Sequence, residues 1–441
     1  MATQPGSEIS ERELWKNTIL AGLANYIDAG SIVSASVALA LWVEAYHLST
    51  GFVGILGAFS ANAISAGIGA LIGGRLCDRF GRKTIYQYDM LFYAFGMMWL
   101  TFAVAPWMIV VGFVLVGLAV GADIPASWSL IAEMAPERKR GMHSGVAQVL
   151  WYLGPVVVLS MSLVLAPLGI LGIRIVFAHL ALVAIALTFM RRKMRESRYW
   201  LEARAASGDP DPNEARLPPW SELFKPQNLK AMAFLIGMYG LWNLWAGTNG
   251  FFLPYILRTV GSETQATSVA IQCLSFFLGV LSIYFVFMRF SDRVDQRKLL
   301  ALSSAIQIAG MLLLALFPLT APIALGYVIL TGAGGGFGQQ SFFQLWSGEM
   351  FPTLLRSTAQ GFMFAVVRIS LGLWSFFVPV LTSGAGFRTV AWILTGFLVV
   401  SGLIGLAFAP RNAGKSLEEI QVERHGRAAG VVPARAQGLR A

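Results

Sequence analysis

Charge is what this chain has least of. Only 13% of its 441 residues are Asp, Glu, Lys or Arg, where soluble domains carry roughly 25%, and 56% are hydrophobic. That balance excludes a disordered chain, an ordinary nucleic-acid binder and a typical cytosolic enzyme, because too little polar surface is left to keep so much apolar chain in water. Cysteine is nearly absent: Cys77 and Cys273 lie far apart, in or beside apolar stretches, a poor basis for a disulfide framework and a good one for small buried hydrophobes. No metal-ligand cluster, phosphate-binding loop or nucleophile–base constellation can be found, so no metal, no cofactor and no enzymatic activity are expected. The polar N-terminus (Met1–Trp15) has no short apolar core ending at a small-residue cleavage site, so no cleaved signal peptide is expected.

What is present in quantity is apolar sequence long enough to cross a bilayer. At about 20 residues per crossing, runs near 17–42, 51–74, 85–105, 107–131, 143–166, 173–190, 231–257, 266–288, 299–318, 322–346, 361–383 and 389–409 predict twelve spans. One long polar interruption, Arg191 to Lys230, contains Gly208-Asp209-Pro210-Asp211-Pro212 and Pro218-Pro219 and divides the spans six and six. The expected fold is all-α: an N-terminal six-helix bundle (1–190), a cytoplasmic linker (191–230), a C-terminal six-helix bundle (231–409) and a cytoplasmic tail (410–441).

The net charge of +10 matters less than where the charges fall. Lys and Arg concentrate in cytoplasmic loops. With both termini inside, 29 of the 33 basic residues lie on that side; Arg174, Arg258 and Arg388 lie outside, and Arg368 is the only basic residue placed within a span. That distribution predicts a multi-pass protein of the cytoplasmic membrane.

The halves also repeat. Asp78-Arg79 follows span two and Asp292-Arg293 follows span eight. Glu133-Met134-Ala135-Pro136 ends span four with Arg140 behind it, and Glu349-Met350-Phe351-Pro352 ends span ten with Arg356 behind it, the copies lying about 215 residues apart. Duplicated six-span halves place a solute site between them near the midplane, a symmetry that a receptor or a membrane enzyme does not need.

Gly74-Arg75-Leu76-Cys77-Asp78-Arg79-Phe80-Gly81-Arg82-Lys83, between spans two and three, resembles the G-x-x-x-D-R-x-G-R-K loop signature of the major facilitator superfamily. Gly74 permits close packing, Gly81 a sharp turn, and Asp78 can latch onto a helix N-terminus or a loop arginine. The second copy, Asp292-Arg293-Val294-Asp295-Gln296-Arg297-Lys298, lacks the turn glycine and one arginine, so a weaker latch is expected. Pro136 to Gly141 reads P-x-x-x-R-G. Arg195-Glu196-Ser197-Arg198-Tyr199-Trp200-Leu201 and Pro410-Arg411-Asn412-Ala413-Gly414-Lys415-Ser416-Leu417-Glu418-Glu419-Ile420 are similar to segments of sugar porters. The likeness covers nearly the whole chain and is strongest to the bacterial branch of inositol and sugar uptake carriers.

The resemblance implies a set of binding residues. Gln148 with Gly154 matches the family's sugar-contacting pair in span five. Asn243-Leu244-Trp245-Ala246-Gly247-Thr248-Asn249 falls on Q-Q-x-x-G-x-N in span seven, with Asn243 replacing the first glutamine, Leu244 the second, and Gly247 and Asn249 retained. A straight helix would put Asn243 and Asn249 on different faces, so Gly247, Gly250 and Pro254 suggest a broken span that brings both to one cavity. Gln344 stands where the family has a tryptophan in span ten, and Gln340 shares its face one turn earlier; Gln339 adjoins them. Amides offer donors and acceptors to vicinal hydroxyls, which suits a neutral polyhydroxy solute; alternatively they bridge helices.

Intramembrane charge is costly and by default functional. Asp28, in Tyr26-Ile27-Asp28 of span one, falls where proton-coupled sugar porters carry an aspartate; a static pairing with a cation is the alternative. The family's partner arginine is replaced by Phe113, and Arg368 in span eleven is a candidate substitute, or else a holder of an anionic solute. Asp123, in Gly121-Ala122-Asp123-Ile124-Pro125, serves either coupling or helix packing. His179 reads as a hydrogen-bonded interior histidine, and the run Gly332 to Gly338 as small-residue packing or a flexible gate. The expected gating motif comprises Gly74, Asp78, Arg79, Gly81, Arg82, Glu133, Arg140, Asp292, Arg293, Glu349 and Arg356.

The expectation is a secondary transporter that imports an inositol-like polyol or a monosaccharide by proton symport with alternating access. Its partners would be the solute, protons and the lipid bilayer, with no nucleic acid, and it would work as a monomer in a cavity walled by spans one, four, five, seven and ten. The rivals are an organic-anion or aromatic-acid carrier using Arg368, a drug exporter, and a sensor that binds a solute without moving it.

Overall fold

The computed structural model describes residues 11–136, 139–192, 194, 196–208 and 215–426. Glu137, Arg138, Arg195, the Asp209-Pro210-Asp211-Pro212 run and the tail beyond Gly426 lie outside the described residues.

Every regular element among the described residues is helical. Twelve crossings follow in order. Spans one to six are Glu11–Tyr46, Thr50–Ala58 with Ile64–Phe80, Arg82–Thr101, Pro106–Met134, Arg140–Val164 and Ile170–Arg191. Spans seven to twelve are Pro226–Thr259, Gln265–Phe290, Gln296–Leu316, Ala321–Gly335 with Gln339–Glu349, Thr353–Gly384 and Phe387–Phe408. Nine of these are long and apolar enough to cross a membrane on length and composition alone. The other three carry polar or irregular content that the fold uses. Span two is interrupted at 59–63, span three holds Arg82, Lys83 and Asp89, and span seven is rich in amides and aromatic rings. Two further helices, Arg198–Ala206 and Leu417–His425, lie beside the ends of the spans.

The crossings pack as two bundles. Span one packs on spans five and six and span four on spans two and three; span nine packs on spans ten and twelve, and span seven on span twelve. Span two against eleven, five against eight and one against seven join the halves. In span one 89% of the apolar window is buried, against 44–56% in the other eight apolar spans, so it runs through the interior while the others each keep one face for lipid. Ile72, Phe95, Leu182, Leu403 and Phe408 are exposed on such faces, where an apolar surround replaces water as solvent.

Small residues set the closest contacts between the halves. A Cβ on Gly74 would stand 2.3 Å from the Ser357 carbonyl, and one on Gly361 2.2 Å from that of Ala70, so spans two and eleven touch backbone to backbone. Gly81 has φ of 93°, the left-handed region that lets span two turn into span three with no intervening loop. Within span ten the helix stops at Gly335 and restarts at Gln339; a Cβ on Gly332 or Gly336 would meet the carbonyl of Ser275 or Gly279 at 2.6 and 2.7 Å. The glycine run therefore serves close packing on span eight and a helix break together.

Span seven corrects an expectation. It is one continuous helix with Pro254 inside it, because the surrounding helices hold it straight at Gly247 and Gly250, where Leu371 and Ile32 pack.

Replacing Gly74 by valine should push spans two and eleven apart, at a cost of about 1–3 kcal/mol of overpacking. The midpoint of thermal unfolding in detergent should fall clearly below that of the parent; an unchanged midpoint would mean that the close approach bears no load.

Candidate functional site

The end of the molecule that carries the basic loops is tied shut by two related networks. Asp78, at the end of span two, accepts the backbone N–H of Ser357 at 3.3 Å and of Thr358 at 2.7 Å, together with the Thr358 hydroxyl. These are the first turns of span eleven, where the helix dipole favours an anion. Arg82 lies 3.1 Å from Asp78 and donates to Glu133 at 2.9 Å and to the Thr353 carbonyl at 2.7 Å. Arg356, from the other half, pairs with the same Glu133 oxygen. Glu196, beyond span six, accepts the backbone N–H of Arg82 and Lys83 at 3.1 and 3.0 Å; burial pushes its carboxyl above the usual range.

The second network is the first with halves exchanged. Asp292 accepts the N–H of Gly141 at 2.9 Å and of Met142 at 3.0 Å, at the start of span five. Burial pushes this carboxyl up, and the two donors and Arg140 draw it part of the way back. Glu349 accepts Arg140 at 2.8 Å and Asn412 at 3.0 Å. Where the first copy has Arg82 the second has Gln296, whose amide accepts from the Trp346 indole. Glu133 thus meets two guanidiniums and Glu349 only one, in line with the lost arginine. Arg79 and Arg293 are exposed and stand outside the buried parts of both networks.

Between the halves lies a void of about 50 Å³, where one water takes roughly 10–15 Å³. Its walls include Asn243, Asn249, Gln340 and Arg368, with Trp151, Tyr152, Trp242, Trp245 and Phe276, and Asn62 from the break in span two. They come from spans one, two, five, seven, eight, ten and eleven; span four contributes nothing to them. At the end opposite the basic loops, the Gln265 amide donates to the Val37 carbonyl at 3.3 Å and Phe376 and Phe252 press on Gly54 and Gly57. Contacts between the halves thus cross the molecule at both ends.

The structure brings most of the expected amides together. Gln340 donates to Gln148 at 3.0 Å, and Gln148 donates in turn to Gln344, so three amides from spans five and ten form a chain directly behind the void. Asn243 accepts Arg368 at 3.2 Å, and Asn249 accepts the Tyr327 hydroxyl at 2.8 Å. Both reach the void although span seven is unbroken, because it passes along the void and shows one flank to span eleven and another to span ten. Gln339 does not belong with them. Its amide pairs with Ser304 and Gln307 at 3.0 and 3.1 Å within the C-terminal bundle, because adjacent helix positions point some 100° apart.

The intramembrane charges are arranged differently from the expectation. Asp28 and Arg368 form no ion pair: both oxygens of Asp28 are buried without a hydrogen-bond donor, while Arg368 donates to Asn243 and to Tyr239 and its guanidinium lies 4.3 Å from the Phe364 ring. Arg368 is not the only basic residue inside the bundles. Arg191, assigned from sequence to the linker, ends span six at 1% exposure and lies 3.3 Å from Asp123 and 3.9 Å from Asp89. A terminal arginine gives no sequence signal of being buried, since its neighbour Arg192 is equally compatible with a loop. Asp89, Asn62 and the void-lining tryptophans were also missed; an acid six residues beyond the loop signature, in a run otherwise without charge, was the available hint. His179 accepts or donates at 3.0 Å with the Tyr26 hydroxyl, and both cysteines are free.

The sequence profile of the Major Facilitator Superfamily matches residues 18–347 and 244–438. The chain belongs to that family. This facilitator is 44% identical over 418 residues to the minor myo-inositol transporter of Bacillus subtilis (strain 168), covering 93% of this chain and 94% of the relative. It is 25% identical to the arabinose–proton symporter of the same organism, over 91% and 93% of the two chains. A proton–xylose symporter solved with 6-bromo-6-deoxy-D-glucose shares the fold at a TM-score of 0.73 and 19% identity, over 93% of this chain and 99% of that one. The facilitator is therefore a multi-pass membrane protein of a transporter family and not an enzyme.

Glu133→Gln should leave Arg82 and Arg356 buried without their shared anion, at a cost of several kcal/mol. In a Cys273→Ser background, maleimide labelling of the buried Cys77 beside Asp78 should then speed up by about tenfold or more; an unchanged rate would remove the network from the closure of this end.

Proposed function

We propose that the protein imports an inositol-like polyol or a monosaccharide, driven by protons, through alternate opening of the two ends of the central void. The observation that carries this reading is the chain of three amides, Gln148, Gln340 and Gln344, spanning the two halves behind a wall of tryptophans. In the arrangement described the amides pair with one another, Gln340 to Gln148 and Gln148 to Gln344. When the halves separate, the same donors and acceptors become free for vicinal hydroxyls, and the indole rings offer flat apolar faces to the C–H side of a ring polyol. The likeness to a myo-inositol transporter and to an arabinose–proton symporter supports the same solute class and the same driving ion.

Both networks at the basic end must break for that end to open, and the excess of Lys and Arg in the loops of that end supports a cytoplasmic placement. The protein then resides in the cell membrane with both termini inside and works as a monomer, each chain holding a complete void. Residues 1–190 and 231–409 are the two rocking halves, and 191–230 is the linker between them. Asp28, a buried carboxyl with no partner one residue from the void wall, is the proton carrier.

A second reading draws on one observation: among the described residues no carboxylate lies within ion-pair distance of Arg368, which lines the void. A solute with its own carboxylate could fill that vacancy. Arg368→Gln should abolish transport of acids and spare some binding of a neutral polyol.

Uptake of radiolabelled myo-inositol and hexoses into proteoliposomes, with and without an imposed pH gradient, tests the main reading. Asp28→Asn should lose gradient-driven accumulation and keep counterflow. Gln148→Ala should raise the half-saturating concentration about tenfold, as expected for 1–3 kcal/mol of lost hydrogen bonding. Accumulation that survives in Asp28→Asn would end the coupling role of that residue.

A further inference from the structure

The N-terminal bundle holds a second set of buried ionisable groups, away from the void. Arg191 Nη1 lies 3.3 Å from Asp123 Oδ1 and 3.9 Å from Asp89 Oδ1, with all three side chains at 2% exposure or less. The guanidinium is held in place by the Tyr86 and Leu20 carbonyls, which accept at 3.3 and 3.4 Å, and by the Tyr86 ring 3.6 Å below it. Neither oxygen of Asp89 receives a hydrogen bond, and Asp123 Oδ2 has no donor either. Spans three, four and six therefore bring together two carboxylates and one cation in an apolar surround. On span one, Asp28 lies eight residues from Leu20, roughly 12 Å along the helix axis.

We propose that Asp89 and Asp123, sharing Arg191, form a proton-binding site distinct from Asp28 that fills and empties once per transport cycle. The reasoning is one of charge. A buried guanidinium offsets one carboxylate; a second ionised carboxylate beside it is an uncompensated charge in low dielectric, which binds a proton instead. The proton sits on one carboxyl and is accepted by the other, and so engages two of the three oxygens that lack a donor, one of Asp89 and Oδ2 of Asp123. The other titratable groups facing the pair are Tyr86 of span three, Asp28 of span one and Cys77 of span two; none is a cation, so Arg191 alone controls the site.

The position suits a link to the gate. Arg191 is the last residue of span six, and Glu196, a few residues on, caps the first turn of span three at Arg82, whose guanidinium holds Glu133 and Asp78. Loss of the shared proton gives Arg191 two anions to serve and draws it further into the bundle. That pulls on the segment carrying Glu196 and loosens the network that closes the basic end. A gain of the proton has the opposite effect.

This proposal rests on the proton-driven reading above. The test uses the full-length protein in proteoliposomes, with labelled myo-inositol, and compares the parent with Asp89→Asn and Asp89→Glu. Counterflow, which needs no gradient, should persist in Asp89→Asn, while the number of protons moved per solute, read from the gradient at which net flux reverses, should fall by one. Asp89→Glu should restore the parent value. An unchanged stoichiometry in Asp89→Asn overturns the site. Parent uptake that ignores the pH gradient overturns both the site and the proton-driven reading, whereas counterflow absent for every polyol and sugar overturns the solute assignment as well. Should Asp89→Asn fail to fold, difference infrared spectroscopy of Asp28→Asn against Asp28→Asn/Asp123→Asn protein decides: a protonated-carboxyl stretch at neutral pH that is lost with Asp123 supports the site, and no difference overturns it.

Discussion

A carboxylate shared by two arginines in an apolar surround, Glu133 between Arg82 and Arg356, is the interaction on which the closed form depends. One arginine comes from each half, so the halves cannot part at that end while the anion holds both. Buried ion pairs contribute modest net stability but are expensive to leave half-made. Removing any one of the three side chains would therefore leave a buried charge short of its partner. The adjoining capping of a helix start by Asp78 follows the same logic, because N–H groups at a helix end need either an anion or solvent.

Duplication of the half explains why the same device occurs twice, and the differences between copies show what each position does. Replacing an arginine by Gln296 leaves Glu349 with a single guanidinium, and Asn412 from beyond span twelve supplies the missing donor. Asp292 keeps its role at the start of span five although the turn glycine beside it is gone. Anchoring of the helix start thus depends on the carboxylate, whereas the glycine serves the tightness of the turn. The asymmetry makes the two networks unequal, with two guanidiniums on Glu133 and one on Glu349.

The polar interior divides between a void and a bundle core, and the two follow different rules. At the void, Gln340, Gln148 and Gln344 bond to one another, the Trp242 and Trp245 indoles donate to Gln307 and Tyr327, and Arg368 brings a charge to the wall. Inside the N-terminal bundle, Arg191 serves Asp123 and Asp89, none of which lines the void. Both satisfy the requirement that nothing polar be left facing lipid.

The twelve crossings, the repeated charge motifs and the amide-rich spans were legible from residue order alone, because crossing length, loop charge and repeated spacing are local or periodic properties. Asp78, Glu133, Arg140, Asp292, Glu349 and Arg356 could be named as a set for the same reason. Which partner each one takes was not legible. Gln339 and Gln340 are neighbours in sequence, yet one faces Gln307 in the bundle and the other Gln148 across the halves. Asp28 and Arg368 looked like a pair and are not one, while Arg191 looked like a loop residue and is the counter-ion of Asp123. Composition and periodicity determine what a helix must bury, but the neighbour it buries that residue against depends on rotation and depth within the bundle. Those are set by the small-residue contacts of all twelve helices together, and only the tertiary structure decides them.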